Sequence, residues 1–553
     1  MAPPRKQQRM PEQPQLSPFK RHLYGAAGLA ALIVLYLLPG SIGHDPWRGD
    51  DIRHFSAVFS LFQDASFWLP SMAGAPVTDF GPLYYWVSAI FGAMLGWLLP
   101  LHDATRLASP FFTGLAIFWI ARAAARLYGR HTRTPAALLM LGTLGLVVHA
   151  HEHQPYTALI AMQAMTLAGL ALVPTQPVKG ALQAGIGVAL AFLAAGPSGA
   201  LLTLPLLIVV AIGCPECRSA RASGALILGL SIGTAIAAAW LIGLERHDPN
   251  LVALWWEGAW SGLGEPISTT DLGKLAELLS WFAWPLWPIA LWTLWRARFQ
   301  LLRVSWALPL VALLCVLIWL LLGGHTQAPA MLPIIAPLAL LAAAGVPTLR
   351  RGAANAFDWF AIMTFGSFAI FVWLAWTAQA HGWPPGLARS LERVAPEFVL
   401  HGTLFQAATA SFITLCWITL VWHLPRSPNR SPTNWAMGMT MLWCLAVSLL
   451  LPWFDHGRSY RPASESLAIA LAGEAPGCVA GIGLSDSHLA SFDYFAGLRV
   501  DPVGANLTAC KYLLVHDETH ASRLSLATQW QLIWEFRHAG GKRLEVFRLY
   551  RRE

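Results

Sequence analysis

Residues 23–42, LYGAAGLAALIVLYLLPGSI, are followed after a short connection by residues 49–54, GDDIRH. The apolar run has the length of roughly 20 residues that a helix needs to cross a bilayer. It is longer than the apolar core of a signal peptide and lacks an obvious small-residue cleavage site. The sequence therefore predicts a retained first membrane span with ionisable residues placed shortly after it.

The composition of the whole chain is typical of a membrane protein. Hydrophobic residues make up 56% of the 553 residues and charged residues only 12%, which is far from the composition of soluble domains. The net charge of +8 does not indicate nucleic-acid binding, because the basic residues lie in short clusters between apolar runs. We therefore expect a polytopic protein that contacts membrane lipids and binds no nucleic acid.

Thirteen apolar runs are candidate spans. Lys and Arg concentrate in every second connection, and the positive-inside rule places those connections in the cytosol. An odd number of spans then puts the N-terminus in the cytosol and the C-terminus in the periplasm, as expected for a multi-pass protein of the bacterial cytoplasmic (inner) membrane. The predicted spans are 23–42, 106–127, 134–150, 156–174, 179–195, 198–213, 224–244, 275–295, 303–322, 329–348, 357–378, 401–423 and 433–453.

The chain divides into three predicted regions. Residues 1–22 form a basic cytosolic N-terminus, residues 23–453 an all-α transmembrane domain, and residues 454–553 a small periplasmic α/β domain. In the last region, strand-like runs alternate with helical stretches. Cys478 and Cys510 open or precede two of these strands, and an oxidising compartment would let them pair.

Two segments between residues 50 and 100 are predicted to lie at the membrane surface rather than to span it. Apolar side chains recur at helical spacing from Ile52 to Phe62, which predicts a helix in the membrane interface. The stretch 82–99 is apolar enough to span. A span there would invert the charge pattern, so we place it at the outer surface or as a re-entrant element.

Asp50, Asp51 and Arg53 form the most informative cluster of ionisable residues. Such residues at the outer face of a membrane can meet a lipid headgroup and water together. A carboxylate there can act as general base or hold a divalent ion, and an arginine can bind phosphate through two parallel hydrogen bonds. The alternative is that Asp50 only caps the following helix.

Four motifs, in order, resemble the aminoarabinose-transferase and protein O-mannosyltransferase group. Asp-Asp-x-Arg stands at 50–53 and Asp-Phe-Gly-Pro-Leu-Tyr-Tyr-Trp at 79–86, where the group has roughly Asp-Glu-x-Arg and Glu-Lys-Pro-Pro-Leu-Tyr-Tyr-Trp. Ala-Ala-Gly-Pro-Ser-Gly begins at 194 and Leu-Pro-x-x-Ala-Pro-Leu at 332, which resemble Leu-Ala-Lys-Gly-Pro and Leu-Pro-x-x-Pro. Thirteen spans with a C-terminal outer domain also match the aminoarabinose-transferase layout, so the similarity covers most of the chain.

The resemblance implies an all-α GT-C membrane enzyme with a small C-terminal α/β domain. Such an enzyme is a glycosyltransferase that moves a sugar from a polyprenyl (undecaprenyl) phosphate donor to an acceptor at the outer face. Residue by residue, Asp50 matches the family's catalytic Asp, Asp51 the acidic residue beside it, and Arg53 its Arg. Asp79 falls where the family's Glu contributes to the metal or donor site.

The chain departs from the family pattern at three lysines that usually contact phosphate. Phe80 and Ala195 replace two of them, and the turn before the tenth predicted span has no lysine. Either other cations take their place, or the donor differs, or activity is low. The candidate replacements in donor-phosphate binding are Arg53, Arg246, Lys274 and His325.

The segment 149–155, HAHEHQP, concentrates imidazole where relatives carry a second Asp near the active cavity. Glu152 and His153, with His247 in a later loop, are candidate ligands of a transition metal. The alternative for this segment is a polar interfacial turn. The aromatic residues that could stack on a sugar are Tyr84, Tyr85, Trp255 and Trp256.

Other functions stay open at this point. The sequence has neither a P-loop nor a credible Gly-x-Gly-x-x-Gly, so no nucleotide cofactor is expected, whereas a divalent metal ion is compatible with the carboxylates. The alternatives to an enzyme are a transporter or flippase of lipid-linked intermediates and a lapsed family member that acts as a scaffold. The sugar, the oligomeric state and the acceptor, whether lipid A, another envelope glycan or a protein, cannot be deduced from the sequence.

Overall fold

The structure is a computed structural model that describes most of the chain. The predicted cytosolic N-terminus, residues 1–22, lies outside the described residues. The described ranges are 25–63, 66–213, 215–260, 268–396, 398–400, 403–472, 478–502, 510–517, 530–539 and 544–552.

The part of the chain up to Arg458 is almost entirely helical. The helices are α1 (Ala26–Leu37), α2 (Asp50–Ser60), α3 (Leu83–Leu95), α4 (Leu101–Arg106), α5 (Ala108–Leu127), α6 (Arg133–Leu141), α7 (Leu146–His149), α8 (Tyr156–Leu170), α9 (Pro177–Gly213), α10 (Ala220–His247), α11 (Pro249–Trp260), α12 (Thr269–Phe282), α13 (Leu286–Ala297), α14 (Val304–Leu322), α15 (Ile335–Gly345), α16 (Arg351–His381), α17 (Pro385–Val394), α18 (Thr403–His423) and α19 (Arg430–Arg458). Short 3-10 turns stand at Arg130–Thr132, Pro215–Arg218, Ala328–Ile334 and Val346–Thr348. A two-stranded ribbon, β1 (Ser71–Met72) and β2 (Ala75–Pro76), follows α2.

Within the described residues, eight helical segments are long and apolar enough to cross a membrane. The predicted count of thirteen spans is not reached by this criterion, because several predicted spans fall on shorter helices or on helices that are broken. The predicted span 275–295, for example, covers parts of the separate helices α12 and α13. The eight segments are Leu101–Leu127, Pro177–Gly213, Ala220–His247, Val304–Leu322, Ala328–Thr348, Arg351–His381, Leu404–His423 and Arg430–Arg458.

Helix α9 is broken in its middle, where the sequence separates two predicted spans. Gly196 has φ +55° and ψ −138°, a conformation that residues with a Cβ rarely adopt. A Cβ at Gly196 would also lie 2.8 Å from the Trp255 ring. Pro197 follows and has no backbone N–H to continue the helical hydrogen bonds. The break therefore interrupts the apolar helix at residues 195–196.

The C-terminal α/β domain is confirmed. Its sheet has the order β4-β3-β5-β7-β6, in which β3 pairs parallel with β4 and β5, whereas β7 pairs antiparallel with β5 and β6. Cys478 and Cys510 form a disulfide with a Cα–Cα distance of 4.9 Å, as predicted for the ends of adjacent strands. The elements are α20 (Arg461–Ala470), β3 (Val479–Ile482), α21 (Asp486–Ala496), β4 (Asp501–Pro502), β5 (Tyr512–Asp517), β6 (Trp530–Ala539) and β7 (Leu544–Arg552).

The apolar face of α2 is buried by protein, which differs from the predicted helix in the membrane interface. Ile52 and Phe55 are fully buried and pack with Ala490 of α21. The ring of Tyr494, also in α21, lies 4.6 Å from that of Phe55 and 5.0 Å from that of Phe59. The sequence pattern of an amphipathic helix is the same whether lipid or another domain covers the apolar face, so the prediction identified the helix but not its partner.

The topology remains a prediction that reporter fusions can test. A cytosol-active reporter fused at Met1 and a periplasm-active reporter fused at Glu553 should both be functional, because the arginine distribution favours opposite compartments for the two ends. A fusion at Ser427, between α18 and α19, serves as a cytosolic control. Activity of both terminal reporters in one compartment would contradict an odd number of spans.

Candidate active site

A cavity of about 320 Å³ brings together most of the motifs that the sequence singled out. Its walls come from α2, from the segment before α3, from the break in α9, from α11 and from the segment between α14 and α15. The lining residues are Asp50, Arg53, His54, Asp79, Phe80, Tyr156, Ala195, Ser198, Gly258, Ala259, Trp319, His325, Gln327, Pro329 and Ala330.

Asp50 is the first residue of α2 and lines the cavity. The cap position belongs to Gly49, whose φ of +100° suits glycine, so Asp50 is not the helix cap of the alternative interpretation. A carboxylate in the first turn of a helix is stabilised by the positive end of the helix dipole. Asp50 is thus held at the cavity as a carboxylate that can accept a proton or bind a cation.

Arg53 lies one helical turn after Asp50 and is oriented by two carboxylates. Its Nη2 lies 2.8 Å from Asp79 Oδ2, and its Nε lies 3.4 Å from Asp486 Oδ2 at the start of α21. Burial alone would lower the pKa of Arg53, but the charge and hydrogen bond of Asp79, together with the charge of Asp486 and the neighbouring Tyr85, raise that pKa. Arg53 is therefore a permanent cation at the wall of the cavity.

The cavity is lined at all three places where the resemblance implies a lysine that this chain does not have. Phe80 and Ala195 present no charge there. His325 packs against Trp319 with ring centroids 4.3 Å apart, and its Nε2 is buried without a hydrogen-bond partner. Burial lowers the pKa of His325, so it is neutral at pH 7 and does not replace the missing positive charge.

Asp51 does not line the cavity, although the sequence suggested a catalytic role for it beside Asp50. Successive residues on a helix point about 100° apart, and Asp51 is fully buried on another side of α2. Its Oδ2 accepts a hydrogen bond from Trp47 N–H at 2.9 Å and lies 3.6 Å from Arg106 Nη2, while its Oδ1 lies 2.7 Å from both the backbone N and Nδ1 of His153. Burial would raise the pKa of Asp51, but the charge of Arg106 and the hydrogen bond from His153 lower it well below its usual range.

The segment 149–155 and the two tyrosines are buried near the cavity but do not line it. His153 Nδ1 is hydrogen-bonded to Asp51. Glu152 lies 3.5 Å from His149 Nδ1 and 3.7 Å from Arg458 Nη1. Neither side chain therefore lines the cavity together with Asp79. The Tyr85 hydroxyl lies 3.0 Å from His54 Nδ1, and the Tyr84 hydroxyl lies 2.8 Å from Ser109 Oγ. These side chains support the cavity wall instead of stacking on a ligand inside it.

The remaining candidates lie on α10 to α12. Trp255 is fully buried behind the cavity, where its Nε1–H donates to the Phe80 carbonyl at 3.0 Å. Trp256 is 45% exposed on the outer side of α11. Lys274 is exposed and pairs with Asp271 at 2.9 Å. Arg246 and His247, at the end of α10, are exposed and are not among the lining residues.

Several lining residues were missed by the sequence analysis. His54 follows Arg53 and stands four residues after Asp50, so helical spacing could have placed it on the same face. Tyr156, Ser198 and Trp319 belong to apolar helices and carry no signal that separates them from packing residues. The contribution of α21 could not be predicted, because Asp486 is more than 400 positions from Arg53 in the sequence.

Candidate metal ligands occur in the C-terminal domain and in the cavity. In the C-terminal domain, His488, His516 and Glu545 offer ligand atoms that all lie within 4.8 Å of one another. A second compact group there, Cys478, Asp501 and Cys510, includes the two cysteines that form the disulfide. The cavity offers the carboxylates of Asp50 and Asp79 and the unpartnered His325 Nε2, which among the described residues do not form so compact a group. A metal ion in the cavity would therefore need further ligands from its substrate.

Sequence comparison identifies no relative of this chain: no model of a protein family and no curated protein matches it. Comparison with solved structures does find similar folds. The chain is similar to the crystal structure of ArnT from Cupriavidus metallidurans bound to undecaprenyl phosphate, with a TM-score of 0.68 at 17% identity over 95% of this chain and 98% of that chain. The apo form of the same protein gives a TM-score of 0.66 at 17% identity over 94% and 97% of the two chains.

A weaker likeness, with a TM-score of 0.47 at 12% identity, covers 89% of this chain and 66% of the oligosaccharyltransferase from Archaeoglobus fulgidus in its apo form. ArnT is a GT-C glycosyltransferase. The four sequence motifs predicted this architecture, and the match to ArnT over nearly the full length of both chains confirms it. The chain has the GT-C fold, with the C-terminal domain included.

Proposed function

We propose that the chain is a membrane glycosyltransferase that moves a sugar from a polyprenyl-phosphate donor to an acceptor at the outer face of the membrane. The observation that carries the proposal is the convergence of Asp50, Arg53 and Asp79 on one cavity in this fold. The ArnT structure with the same fold contains undecaprenyl phosphate, which supports a polyprenyl phosphate as the lipid carrier. The break in α9 and the segment before α15 complete the cavity, as the family motifs at these positions imply.

The proposed mechanism is direct displacement at the anomeric carbon. Asp50 accepts the proton of an acceptor hydroxyl or amine, whose oxygen or nitrogen then forms the new bond to the sugar. The bond between the anomeric carbon and the phosphate oxygen breaks, and its electron pair leaves with the lipid phosphate. Arg53 is placed to stabilise that phosphate through hydrogen bonds to its oxygens.

The charge of the cavity favours a divalent cation in the donor complex. Asp50 and Asp79 are lining carboxylates, and Arg53 is the lining guanidinium among the described residues. Burial and the charge of Arg53 lower the pKa of His54 well below its usual range, so this histidine adds no positive charge. A phosphate would therefore enter a site in which negative groups outnumber positive ones.

A divalent ion would correct this imbalance. Mg²⁺ is commonly held by one or two carboxylates together with substrate phosphates, which fits the separated donors of this cavity. We propose Asp79 as the principal ligand, with His325 Nε2 as the nitrogen donor if the metal is a transition ion. Such an ion would neutralise charge on the departing phosphate.

Two other functions make different predictions about this cavity. A transporter or flippase of lipid-linked intermediates needs no base, and a scaffold needs neither base nor metal. Asp50, held at the helix start without a side-chain cap role, favours the enzyme over both.

Asp50→Asn should lower the rate of transfer by about 10²-fold or more, because an amide cannot serve as general base. The assay is sugar transfer from a polyprenyl-phosphate donor by purified protein, and the level of inserted protein should not change. Glu257→Gln is the matched control, since Glu257 is exposed on α11 next to the lining residue Gly258 but does not itself line the cavity. Full activity of Asp50→Asn would contradict a catalytic role for Asp50, and the resemblance would then apply to the fold alone.

Asp51→Asn should act through stability, because it removes one partner of a buried ion pair. We expect the free energy of unfolding to fall by on the order of 3 kcal/mol, which thermal unfolding in detergent followed by tryptophan fluorescence can detect. The folded-state pKa of Asp51 lies below the ordinary value of about 4, so the stabilisation is present above that pH and is lost as the pH falls through the folded-state pKa. An unchanged melting temperature combined with abolished transfer would instead indicate a direct catalytic role for Asp51.

Removal of divalent ions with a chelator should reduce transfer by at least tenfold, because the cavity then lacks the positive charge to hold the donor phosphate. Activity should return when a divalent ion is added back. Asp79→Asn should need a higher metal concentration for the same rate. Elemental analysis verifies that metal has been removed from the protein. Unchanged transfer by that protein would show that Arg53 alone supplies enough positive charge to hold the donor phosphate.

A further inference from the structure

A second cavity, of about 540 Å³, lies at the end of α5 that is remote from Arg106 and the catalytic cavity. A helix of 20 residues is about 30 Å long, and Arg106, which contacts Asp51 of α2, stands just before the other end of α5. The sequence predicts that this end faces the cytosol. Four of the five residues that line the second cavity are arginines, and we refer to it as the arginine pocket: Arg122, Ala125, Arg126, Arg130 and Arg133.

The arginine pocket is built from fixed elements rather than from a loose loop. Gly129 has φ +101°, which turns the chain back directly after α5 so that Arg130 and Arg133 share a cavity with the arginines of that helix. Tyr128 anchors the turn, since its hydroxyl donates to the Ser305 carbonyl at 2.8 Å. The turn is further closed by the Thr132 hydroxyl, which donates to the Gly129 carbonyl at 2.9 Å.

Two of the guanidinium groups are held in place by contacts that leave their charge uncompensated. Arg126 Nη1 donates to the Ala168 carbonyl at the end of α8, at a distance of 2.8 Å. The Arg122 guanidinium lies 5.4 Å from the Phe118 ring centroid and 6.0 Å from that of Trp119. Such contacts fix the orientation of the planar groups.

The charge of the pocket has no carboxylate partner in the part of the chain that the structure describes. No ion pair joins any of the four arginines to a described Asp or Glu, which leaves four like charges around one cavity. Arg133 is moreover the first residue of α6, whose N-terminus has no side-chain cap. A cation is disfavoured at the positive end of a helix dipole, whereas an anion is favoured there.

The positive-inside rule requires basic residues on this side of the membrane, but it does not require that four of them converge on one cavity. We propose that the arginine pocket binds the phosphate group of an anionic phospholipid. Guanidinium forks match phosphate oxygens in bidentate geometry, and basic pockets between helices on the cytoplasmic side bind lipid headgroups. A lipid source is favoured over free phosphate because Phe118, one turn before Arg122, is 43% exposed on the surface of α5, where acyl chains can pack.

The test compares two double variants of the full chain purified in detergent. Arg122→Gln with Arg130→Gln removes two charges from the pocket and leaves the structural bond of Arg126 intact. Arg350→Gln with Arg351→Gln removes two exposed arginines at the start of α16, on the side also predicted to be cytosolic and outside the pocket. Native mass spectrometry measures the bound fraction of phosphatidylglycerol, with phosphatidylcholine and inorganic phosphate as separate probes, and thermal unfolding without added lipid checks folding.

We expect the pocket variant to bind phosphatidylglycerol about 10- to 30-fold more weakly than the wild-type chain, with the control variant close to wild type. Phosphatidylcholine, which carries no net charge, should bind weakly to all three proteins. An equal loss in the control variant would overturn the proposal, since binding would then follow overall surface charge. Displacement of the lipid by inorganic phosphate at low millimolar concentration would overturn the lipid assignment in favour of a site for free phosphate.

Discussion

The buried carboxylate of Asp51 is the interaction on which the geometry of the cavity depends. It joins three segments that are distant in sequence: the start of α2, Arg106 at the end of α4, and His153 before α8. Burying a charge is costly unless it is paired and hydrogen-bonded, and Asp51 meets this condition with a guanidinium, an imidazole and two backbone N–H groups. Because Asp51 fixes the rotation of α2, Asp50 and Arg53 are directed toward the cavity on another side of the same helix.

The C-terminal domain fixes the same segment from the opposite side. Ser487 Oγ accepts a hydrogen bond from Gly49 N–H at 2.9 Å, and Asp486 contacts Arg53 at 3.4 Å. Tyr494 covers the apolar face of α2 and lies 3.0 Å from His102 Nδ1 through its hydroxyl. The segment that carries the proposed base and the proposed phosphate-binding arginine is therefore held between the membrane domain and the C-terminal domain.

Local patterns predicted much of this architecture, and long-range contacts account for what they missed. Apolar runs located most helices, and alternating patterns located the strands of the C-terminal domain. The motifs singled out Asp50, Arg53 and Asp79, which line one cavity, together with Phe80 and Ala195, where the resemblance implies lysines. Asp51 stands next to Asp50 in the sequence but does not line the cavity, because neighbouring residues on a helix face different directions. Lys274 was a candidate by charge alone, and it instead pairs with Asp271 on the surface of α12.

In the proposed function, the phosphate of the lipid donor lies in the cavity between Asp50, Arg53 and Asp79. A cryo-electron microscopy structure of the purified chain with undecaprenyl phosphate tests it most directly, because it locates the phosphate without depending on the sugar or the acceptor. Phosphate density should lie within hydrogen-bond distance of the Arg53 guanidinium, with any metal ion between the phosphate and Asp79. Phosphate density elsewhere on the molecule, with the cavity containing only water, would rule out the proposed donor site.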